Sequence, residues 1–136
     1  MLRTKLLWAL PFLLIAAACA PAPRVVPAPD PVFFAAAPID VAGTVIQAIS
    51  TSPGLNDSTG WFITQADTMG GFVRAETEVS IPGGFLRRVT TRTEFVSVVV
   101  APAGANRTQV VIQHTDGASE LAERIMRELR ARYGLN

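Results

Sequence analysis

Cysteine is scarce in this sequence, whose 136 residues contain only Cys19. A single cysteine cannot form an internal disulfide, which excludes the small secreted scaffolds that depend on such bonds. Histidine is equally scarce, with His114 alone, so the nitrogen and sulfur ligands of a structural zinc site are too few. The sequence therefore predicts no metal site and no cofactor.

An excess of charge of one sign is also lacking, because the chain has 12 basic and 11 acidic residues. Arg3 and Lys5 lie in a segment that we expect to be removed. The remaining chain then has 10 basic residues against 11 acidic ones, a net charge of −1. Such a balance predicts no strong attraction to nucleic acid or to anionic lipid.

No apolar run is long enough to span a membrane. The longest covers residues 6–18, about 13 residues, whereas a transmembrane helix needs about 20, and Pro11 interrupts it. Basic residues precede this run and three alanines end it, an order typical of a secretory signal peptide. We expect residues 1–18 to be removed on export.

The segment 14–20, in which Ala16-Ala17-Ala18 precedes Cys19, resembles the signal of bacterial lipoproteins. In that family the cysteine becomes the acylated N-terminus, so the resemblance implies lipid attachment, including palmitate, at Cys19. Each buried methylene of an acyl chain adds about 0.8 kcal/mol of membrane affinity. Ala20 follows where aspartate would redirect sorting, which implies the outer membrane. Ordinary secretion is the other interpretation, because a small-x-small cleavage rule is also satisfied.

Proline is concentrated between Cys19 and the globular part of the chain, at positions 21, 23, 27, 29, 31 and 38. Because each proline fixes φ and removes a donor, we expect an extended tether with neither helix nor strand. Val25-Val26 and Val32-Phe33-Phe34 interrupt it; they either lie against the membrane or the domain, or form a docking motif. The predicted organisation is a signal peptide over 1–18, an acylated tether over 19–38 and one domain over 39–136.

Two amphipathic helices are predicted at the ends of this domain. The first has Asp40 as its N-cap and ends near Ser52-Pro53-Gly54. Its apolar stripe consists of Val41, Ala42, Val45, Ala48 and Ile49. The last helix opens at Asp116, with Gly134 as its C-terminal cap and with acid–base pairs four residues apart. Its stripe contains Ala118, Leu121, Ala122, Ile125, Leu129 and Tyr133, and the expected pairs are Glu120–Arg124, Glu123–Arg127 and Glu128–Arg132.

Four strands are predicted between the helices, over 61–67, 72–81, 87–100 and 107–115. The second alternates cleanly between apolar and polar residues, as a half-buried antiparallel strand does. Glycine pairs at 70–71 and 83–84 supply turns. The predicted fold is α+β: a four-stranded antiparallel meander with an N-terminal and a C-terminal helix packed on one face, in the order α-β-β-β-β-α.

Charge pairing suggests a register for the two central hairpins. Setting Val79 opposite Val89 places Glu76 opposite Arg92 and Arg74 opposite Glu94 on the outer face. Setting Val99 opposite Thr108 extends this alignment to the last strand. An apolar patch then falls on the face away from the helices, formed by Val96, Val98, Val100 and Val111. The tether segment 32–34, a partner protein or a second copy of the chain could cover this candidate partner surface.

Catalytic residue types occur together only at His114, Asp116 and Ser119. Their crowding into six residues argues against a triad, because Asp116 and Ser119 are better used at the start of a helix. Neither glycine pair opens a helix or carries the lysine of a phosphate-binding loop. The sequence therefore predicts no catalytic residue.

The sequence favours a non-catalytic binding or assembly module, held at an envelope membrane by lipidated Cys19. Its partner would be an envelope protein or a second copy, and not nucleic acid. In layout the chain resembles small envelope lipoproteins that assist the assembly of larger complexes. The alternative is a periplasmic small-ligand carrier or an enzyme. A cavity with converging polar groups would favour the alternative, whereas a solid core with an outer apolar patch would favour the assembly module.

Overall fold

The chain forms an antiparallel sheet covered on one face by two helices, an α+β fold. A computed structural model describes residues 22–55, 58–85 and 88–134. The strands are β1 (Val25–Val26), β2 (Val32–Phe34), β3 (Phe62–Asp67), β4 (Phe72–Ile81), β5 (Thr90–Pro102) and β6 (Thr108–Thr115). The helices are α1 (Pro38–Ser50) and α2 (Ser119–Tyr133), the second preceded by a 3₁₀ turn at Asp116–Ala118.

The sheet has the order β1-β6-β5-β4-β3, with β2 also pairing with β6. The predicted meander of four long strands is therefore present, and two short strands extend it at the β6 edge. Inward side chains of β4, β5 and β6 join those of both helices in one core cluster. Among the described residues, no helix is long and apolar enough to cross a membrane.

Helix α1 begins earlier than the sequence predicted. Pro38 occupies its first turn, where the missing N–H has no intrahelical acceptor to lose, and Ala37 is the N-cap. Asp40 is thus a first-turn residue, and its assignment as N-cap is wrong. The predicted stripe is confirmed: Val41, Ala42, Val45, Ala48 and Ile49 are all buried.

Helix α2 begins at Ser119, three residues after Asp116, which opens the 3₁₀ turn and is exposed. The predicted N-cap role of Asp116 is therefore wrong, since Ala118 is the N-cap and no side chain caps this helix. The C-terminal cap is confirmed: Gly134 has φ 68° and its N–H donates to Arg130 O at 3.0 Å. The predicted apolar stripe is also confirmed, with Tyr133 partly buried and the other five residues buried.

The acid–base pairs expected along α2 do not form. Among the described residues, the ion pairs join Arg74 with Glu76 and Arg92 with Glu94. Two of the four arginines of α2 reach across to α1 instead. Arg124 Nη2 donates to Thr51 O at 3.3 Å, and Arg132 Nη1 donates to Thr44 Oγ1 at 3.4 Å. These side chains help to join the two helices.

The predicted register of β5 is wrong by three residues. Val79 lies opposite Arg92, where Val89 was expected, and Val99 lies opposite Val111, where Thr108 was expected. Because side chains alternate between faces, an odd shift sends every side chain of β5 to the other face. Val96, Val98 and Val100 therefore point into the core, with exposures of 0%, 0% and 2%.

The predicted partner surface is thus not exposed as a patch. Its three valines on β5 are core residues, and only Val111 lies on the outer face, half-buried beside Val99. Val99 itself is 46% exposed. The cause of the error is the run Val96-Ser97-Val98-Val99-Val100, which offers apolar side chains to both faces, so that alternation alone cannot orient it.

The tether contributes strands, contrary to expectation. Val25 pairs with Thr115, and Val32–Phe34 runs antiparallel to β6. Phe34 is fully buried in the core, and Thr108 Oγ1 donates to Ala36 O at 2.6 Å. The two apolar clusters of the tether therefore lie against the domain. Prolines flank each cluster, and an edge strand tolerates them because one side of its backbone needs no partner.

Gly71 fixes the turn between β3 and β4, as the sequence predicted. Its φ is 70°, and Val100 N–H donates to Gly71 O at 2.7 Å. A Cβ at this position would overlap Val100 O. Only glycine can both adopt this positive φ and leave room for Val100 O, so Gly71 fixes the position of the turn and the start of β4.

Candidate functional site

An open cleft of about 680 Å³ lies at the end of the sheet where β4 finishes and β5 begins. We call it the end cleft. One wall is the segment after α1, including Leu55 and Trp61, and the opposite wall is the start of α2. Its floor contains Arg92 and Glu94, which lie on the same inner face of β5 as the buried valines.

Glu94 is the unusual residue of this cleft. It is 1% exposed, and Arg92 Nε lies 2.5 Å from Oε1 without the alignment that a hydrogen bond needs. Neither carboxylate oxygen has a hydrogen-bond partner among the described residues. The hydroxyl of Thr77, which lies opposite Glu94 on β4, also has none in this part of the chain. Arg92 therefore compensates the buried charge at Oε1, whereas Oε2 has no donor among the described residues.

Gly117 packs against the carboxyl group of Glu94. A Cβ at Gly117 would lie 2.6 Å from Glu94 Cδ and 2.7 Å from Oε1. The 3₁₀ turn before α2 therefore approaches Glu94 as closely as a backbone can. This approach restricts the carboxyl group to a narrow position at the floor of the end cleft.

Charges are balanced among the described residues that line the end cleft, three arginines against three glutamates. They are Arg92, Arg124, Arg127, Glu94, Glu120 and Glu123. The three on α2 nearest its mouth, Glu120, Glu123 and Arg127, are exposed, whereas Glu94 is buried. The cleft thus favours ligands with no net charge, but it separates a buried acceptor on the floor from arginines on the α2 wall.

Arg124, in the wall of the end cleft, also joins α2 to the end of α1. Its Nη2 atom bonds Thr51 O and lies 3.4 Å from Thr51 Oγ1, at the C-terminal end of α1. Its Nε is buried and has no partner among the described residues. One arginine therefore ties the two helices together.

A second depression, of about 520 Å³, lies between α2 and the β6 edge. It contains His114, Met126 and Pro29 of the tether, and His114 Nδ1 lies 2.8 Å from Thr115 O. Ser119, in contrast, lines the end cleft. The structure therefore places two of the three residue types considered for a triad in different depressions.

The residues singled out by the sequence fall outside this site. Cys19 and the whole segment 1–18 lie outside the described residues. Sequence reasoning placed Glu94 and Arg92 on the outer face, because their charges matched Arg74 and Glu76. The signal that could have found them is spacing: Glu94 lies two residues before Val96, so a buried valine there implies a buried glutamate.

Metal binding has no support in the described ranges, where no group of three or more His, Cys, Asp or Glu side chains could hold an ion.

Comparisons with known proteins assign no family. No protein-family model matches the chain, and no curated protein sequence matches it. Among solved structures, it is similar to the Zhui aromatase/cyclase from Streptomyces sp. R1128, with a TM-score of 0.33 and 15% identity. The match covers 80% of this chain and 85% of that one.

Proposed function

We propose that this chain is a lipid-anchored binding module of the bacterial cell envelope, and that it binds a small ligand in the end cleft without catalysis. The observation that carries the proposal is the buried carboxylate of Glu94, which lines the cleft and lacks a hydrogen-bond partner among the described residues. Arg92 Nε lies 2.5 Å from Oε1, so Oε2 is the oxygen without a close donor among the described residues. A ligand that donates to Oε2 would complete its hydrogen bonding.

A ligand cleft is better supported than an assembly surface. The valines that would have formed an outer apolar patch are in the core, whereas polar groups converge in a cleft of the size that small ligands occupy. We therefore keep the binding role expected from the sequence, but we place the binding site in the end cleft and not on the outer face of the sheet.

Anchoring is proposed through acylation of Cys19. The tether continues directly into β1, so a lipid there would hold the sheet close to the membrane. Secretion without acylation would leave the cleft unchanged but release it from the envelope.

Native mass spectrometry of the protein extracted from its own membranes tests the binding role. The wild-type chain should retain a non-covalent adduct. Leu55→Trp, which enlarges a side chain in the cleft wall, should lose it. Ile39→Trp adds the same ring at a position that is 55% exposed on α1 and should keep it. An adduct that persists in Leu55→Trp, or no adduct in any chain, contradicts the proposal.

A further inference from the structure

The connection between β4 and β5 carries exposed apolar side chains. Phe85 is 98% exposed and Val89 is 66% exposed, and Arg88 beside them is exposed as well. We call these three residues the hairpin tip. Over residues 81–93 the sequence has three arginines and no acidic residue. Large apolar side chains held in water beside cations are typical of a surface that enters a membrane interface.

The hairpin of β4 and β5 projects beyond the level at which the tether joins the sheet. Val25 of the tether pairs with Thr115, and Phe95 N–H donates to Thr115 Oγ1 at 3.1 Å, so the tether joins at the level of Phe95. From there β5 continues for five residues to Thr90, still paired with β4. This part of the strand extends roughly 17 Å, at about 3.4 Å per residue. The hairpin tip therefore lies well beyond the point where the tether joins.

The tether leaves the sheet toward the same end as the hairpin tip. Strand β1 is antiparallel to β6, and β6 is antiparallel to β5, so the chain before Val25 leads toward the start of β5. Cys19 precedes Val25 by six residues, and an extended chain of that length spans at most about 22 Å. This reach matches the projection of the hairpin. Acyl chains on Cys19 and the hairpin tip can therefore meet one membrane surface.

Acidic residues at this end of the sheet lie behind the hairpin tip. Glu78 precedes Ile81, the last residue of β4, by three residues, or roughly 10 Å. Asp116 lies where the tether joins the sheet, and Glu120 lines the end cleft on the helix side. Exposed charges are largely screened beyond about 8 Å in physiological salt. Arg88 therefore gives the hairpin tip a local positive charge that suits lipid phosphates.

We infer that the hairpin tip inserts into the bilayer that anchors the chain, an inference that rests on the proposed acylation of Cys19. Phe85 and Val89 enter the upper part of the acyl chains, and Arg88 stays at the level of the phosphates. A lipid anchor alone leaves the domain free to turn on its tether. A second contact at the hairpin tip fixes which end of the sheet faces the membrane.

Tryptophan fluorescence in lipid vesicles tests this insertion. The mature acylated protein is reconstituted in vesicles of phosphatidylcholine and phosphatidylglycerol, with and without phosphatidylcholine brominated near the head group, which quenches tryptophan on contact. Phe85→Trp places the reporter at the hairpin tip. Met69→Trp is the matched control, because Met69 is 87% exposed in the turn at the other end of β4. Wild type supplies the background, since Trp61 is its remaining tryptophan once the segment with Trp8 is removed.

The ring added by Phe85→Trp should lose most of its emission to the brominated lipid, and its emission should shift to shorter wavelength. The ring added by Met69→Trp should show neither change. Circular dichroism verifies that each variant is folded, and flotation verifies that it stays with the vesicles.

Equal quenching of the two added rings would overturn the inference. So would an unquenched Phe85→Trp in protein whose N-terminus is acylated; the anchor would then stand, and an envelope protein would be the partner of the hairpin tip. Mass spectrometry of the N-terminus separates this case from failure of the anchor. An N-terminus without acyl chains, together with an unquenched Phe85→Trp, would overturn the anchor and the tip contact together.

Discussion

Glu94 is buried because Val96, Val98 and Val100 are buried. Residues two apart on a strand share a face, so the core valines bring Glu94 and Arg92 to the helix side of the sheet. Burying three valines stabilises the fold by roughly 1.5–3 kcal/mol each. A buried carboxylate costs several kcal/mol even beside a cation. The valines therefore decide the orientation of β5, and they bring a buried carboxylate, paired with Arg92, to the floor of the cleft.

Gly117 offers a test of this arrangement. Gly117→Ala should lower the free energy of unfolding by roughly 1–3 kcal/mol, because its Cβ meets Glu94 Cδ at 2.6 Å and something must shift. Gly43→Ala is the matched control, on the exposed side of α1 with nothing within 4 Å of the added Cβ. It should stabilise the protein by roughly 0.5–1 kcal/mol. Urea unfolding measures both, and a neutral Gly117→Ala would show that the approach to Glu94 is not tight.

At the scale of helices and strands, the sequence correctly predicted the elements whose residues show a clear periodicity. Both helical stripes, β4 and the turn at Gly71 follow from spacing and from the demands of one backbone position. The register of β5 does not, because valines on both faces remove the alternation. The match of Glu76 with Arg92 then favoured the wrong alignment. In the structure Arg74 pairs with Glu76 on its own strand at 2.7 Å, and exposed pairs of this kind contribute little.

The strands of the tether could not be predicted from local pattern either, since prolines surround them and their partner is more than seventy residues away. Phe34→Ala tests how much these strands contribute to the stability of the domain. It should lower the free energy of unfolding by roughly 3–5 kcal/mol, because the ring is fully buried. Phe33→Ala, next to it on the outer face under Arg107, should cost less than half as much. Equal losses in thermal unfolding would mean that β2 does not anchor the tether in the core.

For the whole molecule, we predict that acylation of one cysteine determines where the cleft is located in the envelope. Cys19→Ser should abolish acylation and move the protein from the membrane to the soluble envelope fraction, because Cys19 is the proposed site of lipid attachment. Mass spectrometry of the mature N-terminus and fractionation measure this. An unmodified N-terminus at Cys19, or one that begins at Pro21, would contradict the anchor.

The most direct measurement is a crystal structure of the protein purified from its own envelope. The account predicts a bound molecule in the end cleft, with a nitrogen or oxygen donor within about 3.2 Å of a carboxylate oxygen of Glu94. Ordered water alone at both oxygens, or an Arg92 side chain that turns to satisfy them, would show that the carboxylate needs no ligand. Either result would contradict the claim that this cleft is a binding site.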